Sequence, residues 1–239
     1  MSGAGKDQGR AVAVLVSGGV ESAAMISEAV RRYERVYPVY VRKGFVWETV
    51  ELAHLKRFLS SYKEEGLADL AVLELPLQNV YKSHWSLKRD KAPGSRAPDP
   101  AVYLPGRNLL LLSLAGLFCG VRKIPALWVG TLKGNPFKDA QPGFLRRMGG
   151  LLRESLGLPV QVTAPFRKLT KGQVIRRWQN LPWEKTFSCL NPKDHRHCGR
   201  CQKCGERRKG FRAAGVVDPT KYAFILRHAQ DERRVEGSR

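Results

Sequence analysis

The chain has 239 residues, 43% of them apolar, enough to fill one good core. No apolar run reaches the length of a membrane span, and the start Met1-Ser2-Gly3-Ala4-Gly5-Lys6 has no apolar signal region, so the expectation is a cytoplasmic protein without a membrane partner. With 42 Lys and Arg against 21 Asp and Glu, the charge selects anionic partners: nucleotides, pyrophosphate, acidic small molecules or nucleic acid.

Residues 1–10 read as a flexible lead-in. A first buried strand follows over Ala11–Val16, and a helix is expected from Ser22 to Tyr33. A second strand spans Val36–Val41 and leads into an amphipathic stretch, Val46–Tyr62; a third strand covers Asp69–Leu75. Residues 76–105 carry Pro76, Pro93, Gly94, Pro98, Pro100 and Pro105, which predict a long irregular connection with a functional or mobile character. The helix Asn108–Gly120 precedes a strand at Ala126–Thr131, and the helix Pro142–Leu156 precedes a strand at Val160–Pro165. A last helix is read over Lys171–Asn180, and residues 225–239 read as a disordered tail. Strands alternating with helices predict an α/β fold whose parallel sheet is sandwiched by helices. Such sheets bind ligands at the carboxyl ends of their strands, so the loops at 17–22, 40–44 and 130–133 should crowd one edge together with the 76–105 connection.

Between the first strand and the first helix stands Ser17-Gly18-Gly19-Val20-Glu21-Ser22. A strand, a tight Gly-Gly turn and a helix N-terminus make an anion site, because bare backbone N–H groups and the positive end of the helix dipole favour phosphate. Gly18 is expected to leave the space that a phosphate must enter, with the hydroxyls of Ser17 and Ser22 at the rim. The alternative is an ordinary turn that uses glycines for geometry alone. No G-x-x-x-x-G-K-[ST] pattern occurs, which excludes a Walker A loop.

Cys189, Cys198, Cys201 and Cys204 follow a C-x8-C-x2-C-x2-C spacing. Thiolates so spaced close a tetrahedral structural zinc site over residues 184–224, with an iron–sulfur cluster as the competing reading. His195 and His197 are read as exposed loop residues, and Cys119 as a core residue. Residues 185–212 hold nine basic side chains and two acidic ones. That excess suits either a solvated face or RNA, and Arg200, Lys203 and Arg208 are expected on the outside of the segment.

The Ser17–Ser22 stretch resembles the S-G-G-x-D-S loop of the PP-loop ATP pyrophosphatases, with Glu21 in place of the usual Asp. Taken with Tyr103-Leu104-Pro105-Gly106-Arg107-Asn108, with Leu169-Thr170-Lys171-Gly172-Gln173-Val174-Ile175 and with the block from Ser188-Cys189 to Cys204, Arg207 and Lys209-Gly210-Phe211, the chain resembles the 7-cyano-7-deazaguanine synthases of queuosine biosynthesis from about residue 11 to 222. The resemblance implies a Rossmann-like fold of the adenine nucleotide alpha-hydrolase type over residues 11–183, with the cysteine segment packed on it. It implies ATP as co-substrate, magnesium, structural zinc, and the conversion of a carboxylate (7-carboxy-7-deazaguanine) and ammonia into a nitrile through an adenylate. Ser17, Gly18, Gly19, Val20, Glu21, Ser22, Arg107, Asn108 and Lys171 would hold the nucleotide. Glu21, Arg107 and Lys171 would assist catalysis, and Gly44 and Asp139 would approach the substrate. Where the family shows a G-Q-x-H signature this chain keeps only Gly44, and beside Asp139 the family's cysteine and arginine are Ala140 and Gln141. Another carboxylate substrate, or an enzyme of the same superfamily acting on tRNA, therefore stays open, and a homodimer is a further expectation.

Overall fold

The computed structural model describes residues 7–88 and 92–224, with side chains from Ala11 onward. Five parallel strands run in the order β3-β2-β1-β4-β5. They are β1 (Asp7–Leu15), β2 (Tyr33–Arg42), β3 (Ala71–Glu74), β4 (Ala126–Trp128) and β5 (Gln161–Thr163). The first strand thus begins inside the stretch expected as a lead-in. The expectations for residues 1–6 and for the tail 225–239 lie outside the described residues. The chain order reverses between β1 and β4, where Val12 pairs with Val36 on one side and Ala126 on the other. That reversal opens a crevice beyond the strand ends.

Side chains that alternate along the strands feed two cores. Val12, Val14, Val36, Tyr40 and Trp128 pack with α1 (Val20–Arg32), α2 (Glu48–Ser61), α6 (Lys171–Arg177) and α7 (Gln202–Ala214). Ala13, Leu15, Val39, Val41 and Leu127 face the other way, onto α4 (Arg107–Val121) and α5 (Pro142–Leu156). Cys119 is fully buried there, as its apolar setting predicts. Glycines let α4 and α5 approach closely: a Cβ on Gly116 would stand 2.5 Å from a Leu152 methyl group. A single turn, α3 (Gln78–Tyr81), and short 3-10 turns interrupt the connection 76–105. Its described residues carry more regular structure than the prolines suggest. Val102 and Leu104 join Phe45, Trp47, Phe187 and the four clustered cysteines in a third core above the crevice. Among the described residues no helix is long and apolar enough to cross a membrane.

The helix α7 was not expected. Its buried positions are Gln202, Cys204, Gly205, Arg207, Gly210, Phe211 and Ala214, so it shows little apolar periodicity. Arg207 is 1% exposed and fully engaged. Its Nε donates to Thr220 Oγ1 at 2.7 Å, Nη1 to Thr186 Oγ1 at 2.9 Å and Nη2 to the Trp183 carbonyl at 2.8 Å. Replacing a guanidinium so placed strands its partners without water. Arg207→Ala should therefore destabilise the protein by about 3–5 kcal/mol, read as a lowered midpoint in urea unfolding, while an exposed change such as Arg212→Ala shifts it little.

Candidate active site

The 17–22 loop forms as the glycines require. Gly18 takes a left-handed φ of +77°, and Gly19 is the extended N-cap of α1. Ser22 is buried, and its Oγ accepts the Ser17 N–H at 2.9 Å. It fastens the loop from within and also borders the inner chamber of the crevice. Val20 is a fully buried core residue. Gly18 does not open the space expected of it, because a Cβ there would meet the Glu51 carbonyl and Leu55, each at 3.4 Å, on the α2 side. Gly19 is the glycine that faces the crevice: a Cβ there would lie 3.3 Å from Glu21 Oε2 and 3.7 Å from Ser17 Oγ.

Lys171 opens α6 behind Thr170, which makes a reciprocal capping box with Gln173. An ammonium at a helix N-terminus opposes the dipole. Here it is held by Glu21 Oε1 at 2.8 Å and Glu206 Oε1 at 3.0 Å. Burial works against the charge on Lys171, but the two carboxylates outweigh it and raise the pKa above the usual lysine value. Burial likewise disfavours a charged Glu206, yet Lys171 and Lys203 pull its pKa down to about 2. Lys203 reaches Glu206 Oε2 at 2.6 Å and lines the crevice, so it is not on the outside of the cysteine segment. Arg200 and Arg208 do lie over rings, Phe224 at 4.0 Å and Tyr222 at 4.9 Å.

Arg107 and Asn108 begin α4. Asp139 caps that helix, taking the Asn108 backbone N–H at 3.0 Å and its side-chain amide at 3.3 Å. Asp139 thus fixes Asn108 and attracts Arg107, and lines neither main chamber. Gly44 is also set back: its N–H donates to Glu48 Oε2 at 2.8 Å, and a Cβ at its φ of +83° would collide with the Gln78 amide. Its neighbours Lys43 and Phe45 are the residues that reach the crevice.

The crevice has two connected chambers of about 350 Å³ and about 200 Å³. Ser17, Glu21, Trp47, Glu51, Arg107 and Gly130 border both. The outer chamber reaches Lys171, Lys203 and Ser188, whereas the inner is walled by Val16, Val41, Leu104 and Leu111. Trp47 stacks on Trp85 at 5.6 Å between centroids and leans on Phe45 at 5.0 Å. Glu51, between the chambers, accepts from the Tyr40 hydroxyl at 2.8 Å. Burial is the main cause that lifts its pKa to about 7, against the pull of Lys43 and the Tyr40 hydrogen bond. No sequence motif pointed to Glu51 or Glu206; only an acidic residue in the first turn of α2 or amid a basic run could have drawn notice.

The four clustered cysteines are buried, and their Sγ atoms all lie within 4.8 Å of one another. Cys189–Cys201 and Cys198–Cys204 are each 3.9 Å apart, far beyond a disulfide bond of about 2 Å. A tetrahedral ion with bonds of about 2.3 Å needs sulfurs about 3.8 Å apart. Backbone N–H groups of Cys198, Arg200 and Cys201 point at these sulfurs from 3.2–3.3 Å, the arrangement that steadies thiolate charge. The cluster fits a single metal ion. His197 is buried, contrary to the exposed position expected of it, and its Nε2 accepts the Ser188 N–H at 3.0 Å. Burial, then Arg207 and His54, hold its pKa down near about 2. His195 is exposed.

Over residues 10–215 the sequence matches the family described as queuosine biosynthesis protein QueC. It is 31% identical over 231 residues to the 7-cyano-7-deazaguanine synthase of Anaeromyxobacter dehalogenans (strain 2CP-C), covering 90% of this chain and 97% of that one. The 7-cyano-7-deazaguanine synthase of Syntrophobacter fumaroxidans (strain DSM 10017 / MPOB) is 32% identical over 240 residues, with coverages of 91% and 98%. Among solved structures, a 4-thiouridine synthetase in complex with RNA and ATP superposes with a TM-score of 0.47 at 15% identity, covering 88% of this chain and 52% of that one. A family match along most of the chain, with relatives above 30% identity that cover 90% and 91% of it, places the protein in the QueC family.

Proposed function

We propose that the protein is an ATP-dependent ligase of the 7-cyano-7-deazaguanine synthase type, which activates the carboxylate of 7-carboxy-7-deazaguanine as an adenylate, forms the amide with ammonia as AMP leaves, and removes the amide oxygen through a second activation to give the nitrile. The observation that carries this reading is the meeting of the glycine loop, Lys171 and Arg107 around one crevice at the sheet's reversal point. In this reading Ser17, the backbone of Gly19 and the α1 N-terminus hold the phosphates that leave as pyrophosphate. Lys171 is fixed by two carboxylates, so its charge is in place before the transition state forms. Arg107, whose guanidinium makes no hydrogen bond or ion pair among the described residues, can take a phosphate or the substrate carboxylate. Magnesium would enter with the triphosphate, and Glu21 is the carboxylate at the loop it would meet. Glu51 stands between the chambers with an affinity suited to taking the proton that ammonium must lose at neutral pH. Its charge and the Trp47 ring also suit a flat heterocycle with donor edges. Zinc in the cysteine cluster would be structural, closing the third core over the crevice.

The direct assay supplies 7-carboxy-7-deazaguanine, ammonium and ATP and looks for the nitrile by mass. Arg107→Ala should lower turnover by about 10²-fold or more with folding retained, and Lys171→Ala should do the same at a cost in stability, because it leaves Glu21 and Glu206 without their counter-charge. Wild-type enzyme that makes no product under these conditions would sink the substrate assignment.

For the metal, about one zinc per chain is expected in colourless protein, with Cys201→Ser or Cys204→Ser losing both metal and soluble yield. A brown protein with broad visible absorption after anaerobic purification would instead identify an iron–sulfur centre.

Glu51 gives a pH test. An acid whose pKa rises on folding favours the native state fully below its unfolded value, and that advantage is lost as pH rises through the folded value. Between pH 5 and 8 the unliganded wild type should therefore lose on the order of 3 kcal/mol relative to Glu51→Gln, measured by urea unfolding at each pH. Parallel curves for the two proteins would show that Glu51 stays charged throughout.

A further inference from the structure

Ser188 belongs to the cysteine segment but sits over the glycine loop. Its Oγ is buried and has no hydrogen-bond partner among the described residues. A buried hydroxyl left in that state is costly unless a ligand supplies an acceptor. Above Gly19, a Cβ would meet Ser188 Oγ at 3.3 Å, Glu21 Oε2 at 3.3 Å and Ser17 Oγ at 3.7 Å. These oxygens ring a small space that stays open only because residue 19 has no side chain. Glu21 gives its other oxygen to Lys171, so the ring is not left with an uncompensated negative charge.

The position of Ser188 is fixed on both sides. The Phe187 N–H donates to the Gly18 carbonyl at 2.7 Å, pinning the segment to the loop. The Ser188 N–H donates to His197 Nε2 at 3.0 Å. A ring nitrogen that accepts carries no proton, so the imidazole is the Nδ1–H tautomer. His197 directly precedes Cys198, which makes this hydrogen bond a link between the metal cluster and the crevice.

We infer that Ser188 is a further phosphate-binding residue: the cysteine segment lends its hydroxyl to the glycine loop, and His197 is the positioning residue that aims it. The inference rests on reading the 17–22 loop as a phosphate site. It gives the metal-binding segment a part in nucleotide binding besides covering the crevice.

The test measures binding of inorganic pyrophosphate, with magnesium, to the full metal-loaded chain by calorimetry, alongside zinc content and thermal midpoint. Ser188→Ala should weaken pyrophosphate binding by roughly tenfold, the scale of one hydrogen bond to a charged group, with zinc and midpoint unchanged. Ser188→Thr, which keeps the hydroxyl, should recover most of the loss. In turnover, Ser188→Ala should raise the KM for ATP more than it lowers kcat. Wild-type affinity in Ser188→Ala, with Lys171→Ala weakened, would overturn the role of Ser188 and leave the phosphate site standing. Failure of the wild type to bind pyrophosphate at all would overturn both. Loss of zinc together with binding would show a structural role only, and would also overturn the inference.

Discussion

Lys171 is the constraint around which the crevice is arranged. A buried ammonium at the wrong end of a helix dipole persists only if counter-charges are held against it. Those charges come from α1 through Glu21 and from α7 through Glu206. Three helices far apart in the chain must therefore converge on one point. The close contact of Gly172 with Ala213 and of Gly210 with the Lys171 stem shows how tightly α6 and α7 meet to achieve it. Cys204 lies half a turn before Glu206 on the same helix, so the position of Glu206 is tied to the metal cluster as well.

The cysteine segment is better described as the roof of the site than as an appendage. It contributes to the main core through Phe211 and Ala214 and to the third core through Phe187 and the cysteines. Much of the positive charge near it is occupied: Arg207 is internal, Arg200 and Arg208 lie over rings, and Lys203 answers Glu206. A count of charges along a segment thus overstates the free cationic surface, because basic side chains also serve as packing material.

Much of the fold was legible where a single local rule decides the outcome. The apolar run Ala11–Leu15 of β1, the Pro142 start and Gly157 end of α5, and the Thr170 cap each encode structure within a few residues. The elements that escaped are those defined by distant partners. Helix α7 buries cysteine, glycine and arginine where an amphipathic helix would bury leucine. Glu51 becomes interesting only once β2 brings Tyr40 beside it, and His197 is buried only because Phe187 and His54 close around it. The Gly18 and Gly19 roles could not be separated from sequence either. Both glycines suit the turn, and which one faces the crevice depends on where α2 packs.

The third core also bears on the order in which the chain acquires its structure. The connection 76–105 meets the cysteine segment through Gly94 bridged to Cys201, the Gln202 N–H on the Pro93 carbonyl at 2.8 Å, and the Gln202 amide on Asp99 at 3.0 Å. These partners are separated by about a hundred residues, and such long-range closure forms late. During synthesis the sheet and its glycine loop emerge well before the cysteines do. A nascent chain therefore carries an open, roofless crevice, and the assembled site appears only when the last helix has docked. Docking of α7 and completion of the crevice become a single event.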